Sequence, residues 1–361
     1  MTTTPNPNQA AGTARPNARP VDRIAILGDG QMGLVMSAIL CEGDHQGEGR
    51  RPGRISLWGN FEADIRDLMA SGTSPRLEGF RIDPSVVVTP DAREALEDAD
   101  LVLIAIPTQH IRSVLTKVGP HIPSAASIVS IAKGIEIGTN LLPTRIIADT
   151  LPGHTGALGD LSGPTIAAEL VERKPATMIA ASADADCAET IQRVFSTPWL
   201  RIYTSEDIVG VELAGAAKNV IAIAAGVVDG MDLGSNAKSA LLARGLAEIT
   251  RLGVAMGANQ ETFFGVAGVG DLATTCFSPF GRNRSCGEAL GKGEALDDYL
   301  ARTKSVVEGV ATAKAIVEVA NNYNVDMPIS KTVHAVLYEG LSAKDGIGLL
   351  MSRPLKAERV G

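Results

Sequence analysis

The chain has 361 residues, of which 45% are hydrophobic and 20% charged, and its formal net charge is −8. This composition is typical of a globular protein, the length favours two domains, and the acidic balance argues against a nucleic-acid partner, which would require a basic face. The longest uncharged apolar run, residues 220–228, is far shorter than the ~20 residues of a membrane-spanning helix, so we expect no membrane insertion.

The N-terminal segment contains little that a folded core would bury. Residues 1–20 include no Leu, Val, Ile or Phe and no apolar region of a signal peptide, which predicts a disordered tail over residues 1–22. The segment is free of acidic residues and contains Arg15 and Arg19, so a transit peptide is the alternative.

The cysteines indicate the compartment. Four are present and none forms a C-x-x-C pair, which is typical of reduced thiols in an intracellular protein. We therefore expect a cytoplasmic location. The spacing alone also permits a bridge between Cys276 and Cys286.

The first ordered stretch predicts a dinucleotide-binding turn. An apolar strand that begins at Arg23 leads into GDGQMG at residues 28–33, and an apolar helical pattern follows. The glycines permit a tight turn and the close approach of a pyrophosphate, while the helix N-terminus supplies N–H groups. In this context we favour dinucleotide binding at Gly28, Gly30 and Gly33 over an ordinary glycine-rich turn.

The residues after the second predicted strand, 55–58, do not decide between the two nicotinamide dinucleotides. In a dinucleotide-binding fold they meet the adenosine ribose, where an acid favours NAD and an arginine favours NADP. Here Asn60 occupies this position, and Glu62 lies a little beyond it. Arg51 or Arg54 could fold back towards the ribose.

Apolar strands that alternate with helices predict a doubly wound, mostly parallel sheet. The strand at residues 101–107 is apolar throughout, as expected of a strand that is buried on both faces. Further strands are predicted at residues 85–89, 127–134, 156–163, 176–182 and 200–204.

Two features lie at the predicted strand ends. Strand 127–134 places Lys133 at the carboxyl edge of the sheet, where ligands bind in such folds; a solvated lysine is the alternative. The sequence Ser-Gly-Pro-Thr at residues 162–165 predicts a helix start, with Pro164 at the first helical position.

From residue 205 the pattern predicts an all-helical second domain, with long helices at residues 205–230, 234–256, 283–292 and 306–323. Residues 210–230 are apolar on almost every face, which predicts a buried helix. A lysine in its middle, Lys218, is costly without a partner or a cleft. We favour a functional role over the alternative, in which the side chain extends its ammonium to the surface.

Two polar sites lie between the later helices. A glycine-rich loop at residues 268–272 presents Asp271, and Gly281, Arg282 and Asn283 stand near a helix start. An arginine fork beside an amide suits an oxyanion or a phosphate, whereas a basic surface turn is the alternative. No cluster has metal-ligand spacing, so we expect no metal site.

These motifs together resemble the bacterial-type NAD(P)-dependent glycerol-3-phosphate dehydrogenases, from Arg23 to about Leu350. The order of the motifs carries the resemblance, since a lone G-x-G-x-x-G would be weak. The matching stretches are GDGQMG (28–33), IPTQ (106–109), AKG (132–134), SGPTIAAE (162–169), GVELAGAAKNVIAIAAGVVDG (210–230), RGLAEITRLG (244–253), GVGDLATTC (268–276), GRNR (281–284) and VVEG (306–309).

The resemblance implies a Rossmann-like domain over residues 23–204 and a helical substrate-binding domain over residues 205–361. It also implies reduction of dihydroxyacetone phosphate to sn-glycerol 3-phosphate with NAD(P)H, a role in phospholipid synthesis, and a homodimer. Lys218 would be the catalytic acid and base, and Lys133 would stabilise the alkoxide while it contacts both substrate and cofactor.

The other site residues follow from the same resemblance, position by position. Besides the three glycines of the turn, the expected cofactor contacts are Gln31, Met32, Asn60, Ala167, Arg282, Val306 and Glu308. Besides the two lysines, the expected substrate contacts are Gly163, Thr165, Asp271, Gly281, Arg282 and Asn283.

Two positions depart from the family pattern. Gly281 replaces the usual Ser, so one hydroxyl contact is missing and only the backbone remains. Asn60 stands where a basic residue is common, and together with the enlarged loop at residues 41–54 this leaves the cofactor preference open. Other two-domain dehydrogenases, such as those of hydroxy acids or ketopantoate, and a non-catalytic nucleotide sensor are the alternatives. Phosphate-dependent turnover distinguishes the enzyme from the sensor.

Overall fold

A computed structural model describes residues 21–42, 51–303, 306–355 and 357–358. The predicted tail at residues 1–22 thus lies, except for its last two residues, outside the described residues. The described chain divides into a sheet half, up to residue 205, and a helical half that follows it.

The sheet half contains eight strands, numbered β1 to β8 in chain order: Arg23–Leu27, Arg54–Trp58, Val87–Thr89, Leu101–Ile104, Ser127–Ser130, Leu158–Ser162, Ala176–Ala181 and Leu200–Ser205. They form one sheet in the order β3-β2-β1-β4-β5-β6-β7-β8. Neighbouring strands are parallel except β6 and β7. The chain changes direction across the sheet between β1 and β4, which creates a crevice at their carboxyl ends where ligands bind in such sheets.

Helices cover both faces of this sheet, because its strands bury side chains alternately on each side. In β1, Ile24 and Ile26 belong to one apolar core, whereas Ala25 and Leu27 belong to the core on the opposite face. The helices α1 to α7 are Gln31–Glu42, Glu62–Ser71, Ala92–Leu96, Thr108–Val118, Pro143–Thr150, Ala167–Val171 and Ala185–Phe195.

The helical half contains α8 to α15: Ile208–Gly230, Gly234–Ala255, Asp271–Phe277, Arg282–Gly291, Leu296–Arg302, Glu308–Asn322, Pro328–Tyr338 and Ala343–Met351. No strand follows β8 among the described residues. The prediction of a mostly parallel doubly wound sheet followed by an all-helical domain is therefore confirmed.

Helix α8 is the centre of the helical half and is buried along nearly its whole length. It passes close to α11, because a Cβ on Gly226 would lie 1.9 Å from the carbonyl oxygen of Arg284, and one on Gly287 would lie 1.9 Å from that of Ile223. Such a close crossing requires glycine. The helix is long and apolar enough to cross a membrane, but 83% of its apolar window is buried inside the protein.

Several sequence predictions are wrong in detail. The strands predicted at 101–107 and 127–134 end at Ile104 and Ser130, so Lys133 lies in the irregular segment beyond β5. The helix start predicted at 162–165 is wrong, because Gly163 adopts a φ of +134° over the backbone of β7 and α6 begins only at Ala167.

The structure also differs from the sequence predictions at a loop, and it decides between the two alternatives for the cysteines. The predicted loop at residues 268–272 is instead a π-helical turn over Val266–Gly270 that leads directly into α10. All four cysteines are free, so Cys276 and Cys286 form no bridge.

Candidate active site

Lys218 is enclosed in the middle of α8. Its side chain is 7% exposed, and its ammonium donates a hydrogen bond to Thr275 Oγ1 at 2.6 Å and lies 3.1 Å from Asp271 Oδ1. Burial lowers the pKa of Lys218, Asp271 opposes this shift, and the charge of Lys133 adds to it. The alternative in which the ammonium reaches the surface is wrong.

Lys133 approaches the same place from the sheet half. Its ammonium donates to Gly163 O at 2.8 Å and to Asp271 Oδ2 at 2.7 Å, and its side chain is 16% exposed. Thr165 Oγ1 donates to the same carbonyl of Gly163 at 3.3 Å. Lys133 is therefore part of a largely buried polar cluster, and the alternative of a solvated lysine at a strand end is wrong.

Asp271 is the common partner of both lysines. Its side chain is 2% exposed, and each carboxylate oxygen faces a different ammonium. We call Lys133, Lys218 and Asp271 the charged triad. With both lysines protonated, the triad has a net positive charge, which suits an anionic substrate or a developing alkoxide.

Polar residues of α11 and α13 adjoin the triad. Asn283 is buried at the start of α11, and its Oδ1 accepts a hydrogen bond from Gly309 N at 2.9 Å. Enclosure raises the pKa of Glu308, and the charges of Arg282, Lys218 and Lys133 oppose this rise. The starts of both helices therefore lie at the same cleft as the two lysines.

Other predicted site residues lie around this centre without joining it. Arg282 is exposed at the first position of α11, after Gly281 as N-cap. Among the described residues, three of the expected cofactor contacts form no hydrogen bond or ion pair with the triad. Asn60 accepts a hydrogen bond from Lys117 Nζ at 3.3 Å, Ala167 packs on the apolar core of the sheet half, and Val306 is exposed.

The glycine-rich turn has the shape that a dinucleotide requires. Gly28 has a φ of +123°, and a Cβ on Gly33 would lie 1.9 Å from Gly28 O, so α1 packs tightly on the turn. A Cβ on Gly30 would meet nothing within 4 Å, which leaves open space above the turn at the start of α1. Beside it, exposed Gln31 donates to Arg76 O at 2.8 Å, and Met32 packs on the core.

Sequence reasoning did not select two residues that the structure places at the triad. Thr275 accepts from Lys218 and donates to Asp271 O at 2.7 Å, and Asn219 Nδ2 donates to Lys133 O at 3.2 Å. Thr275 lies four residues after Asp271, one helical turn along α10, a spacing that would have indicated it if α10 had been predicted.

The described residues contain no group of three or more His, Cys, Asp or Glu side chains that could hold a metal ion. The charge at the cleft comes from lysine, arginine and carboxylate groups. Lysine and carboxylate groups can transfer protons and stabilise a developing charge.

A dinucleotide-binding sheet joined to a helical half, with a buried lysine pair between them, defines the class of two-domain nicotinamide-dependent dehydrogenases. Family models confirm this class and refine it. Residues 23–188 match the NAD-dependent glycerol-3-phosphate dehydrogenase N-terminus, and residues 207–348 match its C-terminus. The chain belongs to the NAD(P)-dependent glycerol-3-phosphate dehydrogenase family, oxidoreductases that supply glycerol phosphate for phospholipid synthesis.

Individual relatives are similar to this chain over almost its whole length. The glycerol-3-phosphate dehydrogenase [NAD(P)+] of Streptomyces griseus is 40% identical over 338 residues, which cover 93% of this chain and 98% of the relative. That of Thermobifida fusca is 40% identical over 342 residues, covering 94% and 99%. The crystal structure of glycerol-3-phosphate dehydrogenase from Coxiella burnetii has a TM-score of 0.86 at 30% identity, covering 92% and 99%.

The predicted family, the fold class, the enzyme class and NAD(P)H as cofactor are therefore confirmed. The alternative of a non-catalytic nucleotide sensor is not supported. Individual residue roles and the domain boundaries stay predictions.

Proposed function

We propose that the charged triad is the catalytic centre for the interconversion of dihydroxyacetone phosphate and sn-glycerol 3-phosphate. The observation that carries this proposal is the convergence of Lys133 and Lys218, from different halves of the chain, on one buried carboxylate. The cost of burying two ammonium groups beside each other is considerable, and a site for a negatively charged transition state accounts for it.

Lys218 is the proton donor in this proposal. When bound, the nicotinamide supplies the hydride that reduces the substrate carbonyl carbon. Lys218 then gives its proton to the carbonyl oxygen, and its lowered pKa favours this transfer. Lys133 stabilises the negative charge on that oxygen, while Asp271 and Thr275 hold the Lys218 ammonium in place.

The substrate phosphate lies at the start of α11. Arg282 offers an exposed guanidinium there, Asn283 and the backbone of Gly281 flank it, and the helix N-terminus favours an anion. Gly163 and Thr165 border the substrate on the side of Lys133. Arg282 thus positions the substrate and takes no part in proton transfer.

The cofactor-binding domain spans residues 23–204 and the helical substrate-binding domain spans residues 205–361, and residues of both domains form the triad. The glycine-rich turn holds the pyrophosphate, and Gln31, Met32, Ala167, Val306 and Glu308 border the cofactor. A cytoplasmic homodimer is expected for this family, and light scattering of the purified protein tests the dimer.

The loss of nicotinamide absorbance with dihydroxyacetone phosphate tests the reaction. We expect oxidation of the reduced cofactor that requires the phosphate ester, with dihydroxyacetone as the matched substrate that lacks it. A folded protein that binds the cofactor but oxidises none of it would contradict the proposal.

A further inference from the structure

The carboxylate of Asp29 lies over the end of β2. Asp29 is the second residue of the glycine-rich turn, and its Cγ and Oδ1 are both 2.8 Å from the position that a Cβ on Gly59 would occupy. Gly28 N donates a hydrogen bond to Trp58 O at 2.8 Å, which joins the turn to the strand end. An acidic group from the turn after β1 therefore occupies the place that a side chain after β2 would fill.

This place has a defined role in dinucleotide-binding sheets. The adenosine ribose lies there, and an acidic residue hydrogen-bonds its 2′-hydroxyl and disfavours the 2′-phosphate of NADP. The residues after Trp58 are Gly59 and Asn60, so β2 itself supplies no acid at this point. The side chain of Asp29 is 12% exposed, which leaves an edge of the carboxylate open to a ligand.

We propose that Asp29 determines the cofactor specificity of this enzyme, by accepting hydrogen bonds from the adenosine ribose and excluding a 2′-phosphate. The enzyme therefore prefers NADH to NADPH. The absence of a side chain at Gly59 is required for this arrangement, because a Cβ there would clash with the Asp29 carboxylate at 2.8 Å and with Ile65 Cδ1 at 2.7 Å.

Arg76 holds this carboxylate in place. One arm of its guanidinium lies 2.6 Å from Asp29 Oδ2 and another lies 2.6 Å from Asp64 Oδ2, so Asp29 Oδ1 is the oxygen over Gly59. Two carboxylates on one guanidinium leave the cluster with a net negative charge. Arg76 is thus neutralised by its partners, and Asp29 Oδ1, the oxygen that faces the ribose position, repels a phosphate.

Lys117 is a cation near the end of β2 that could instead bind the 2′-phosphate of NADPH. Its ammonium lies 5.6 Å from the centroid of the Trp58 ring and donates to Asn60 Oδ1. If Lys117 bound a 2′-phosphate, the enzyme would prefer NADPH. The two residues therefore predict opposite preferences, and a binding experiment separates them.

The test is a measurement of dissociation constants for NADH and NADPH by calorimetry, in the absence of substrate. We expect the wild-type protein to bind NADH at least roughly tenfold more tightly, since a hydrogen bond to a charged group contributes about that factor. Asp29→Asn should weaken NADH binding and reduce the preference by roughly tenfold.

Asp64→Asn is the matched control, because it also removes a carboxylate from Arg76 but lies on α2. It should change the preference by less than about threefold, well under the contribution of one charged hydrogen bond. An equal effect of both variants would show that only the charge on Arg76 matters, which would overturn the role of Asp29.

The comparison of NADH and NADPH binding to the wild-type protein tests the proposal by itself. The proposal can therefore be contradicted even if Asp29→Asn does not fold. Tighter binding of NADPH than of NADH, or tight NADPH binding that Lys117→Ala abolishes, would overturn it. Because no turnover is measured, this result is independent of the roles assigned to the charged triad.

Discussion

The carboxylate of Asp271 lies 2.7 Å from the ammonium of Lys133 through one oxygen and 3.1 Å from that of Lys218 through the other. Lys133 follows a strand of the sheet half, whereas Lys218 and Asp271 lie on α8 and α10 of the helical half. One buried anion therefore sets the positions of two cations that come from different parts of the fold. Within the charged triad, Asp271 is the anion that balances the two ammonium groups.

Replacement of Lys218 by methionine should abolish most of the turnover. Methionine keeps the length of the aliphatic chain but has no proton to donate, and a positioned acid contributes on the order of 10²–10⁴ in rate. We expect a loss in kcat within this range, measured as oxidation of the reduced cofactor, with cofactor affinity unchanged in a titration without substrate.

Lys238→Met is the matched control for this variant. Lys238 is another buried lysine of the helical half, and its partner Asp229 keeps a second cation, Arg284, at 2.6 Å. It should retain near-normal turnover. Near-normal turnover in Lys218→Met would instead remove the proton donor from the proposed mechanism.

Replacement of Asp271 by asparagine should move the pH profile of the reduction to lower pH. Asp271 raises the pKa of Lys218, whereas burial and Lys133 lower it. Reduction requires protonated Lys218, so the rate falls as the pH rises through this pKa. Without the carboxylate the fall should begin at lower pH, by about 1–3 pH units for a charge at this distance.

The measurement is kcat against pH for the wild type and for Asp271→Asn, both at saturating substrate. The opposite reaction, oxidation of glycerol phosphate, requires neutral Lys218, so its rate rises with pH, and in Asp271→Asn this rise should also begin at lower pH. A profile that keeps its position while only its height falls would show that Asp271 does not control this titration.

Replacement of Arg282 by alanine should mainly raise the KM for dihydroxyacetone phosphate. A hydrogen bond between charged groups contributes ~1.5–3 kcal/mol, which corresponds to roughly a 10–100-fold weaker interaction. Arg282→Lys should recover part of the loss, since a lysine keeps the charge but not the planar fork. Steady-state kinetics with varied substrate measure both effects.

Arg284→Ala separates this effect from general damage to α11. Arg284 lies on the same helix but is paired with Asp229 and Glu288, so its loss should lower stability more than it changes KM. An unchanged KM in Arg282→Ala would move the phosphate site elsewhere in the cleft.

The sheet was predictable because the apolar residues of its strands indicate burial on both faces. A strand such as Leu101–Ile104 is buried on both faces and therefore apolar at every position. Its end was not predictable, because Ile106 is also buried but lies beyond the last paired residue. A strand ends where its backbone pairing with the neighbouring strands ends. This depends on other segments of the chain and cannot be seen in the sequence of the strand itself.

The lysines were predictable as site residues, but their arrangement was not. A lysine inside an apolar helix indicates a special environment from the sequence alone, as for Lys218. Its contact with Asp271 depends on how α10 packs against α8, which no local pattern encodes. The position of Asp29 over Gly59 likewise depends on two strands that are far apart in the sequence.

Two glycine-to-alanine substitutions inside helices should change stability in opposite directions. Alanine is the better helix former by ~1 kcal/mol, so Gly348→Ala in α15, where a Cβ would meet nothing within 4 Å, should stabilise the protein by about that amount. In α11, a Cβ on Gly287 would lie 1.9 Å from the backbone oxygen of Ile223 and would force α11 away from α8. Gly287→Ala should therefore destabilise by ~1–3 kcal/mol or more, as overpacked cores do. Urea unfolding of both variants measures the two free energies, and a stabilised Gly287→Ala would show that the α8–α11 crossing is looser than described.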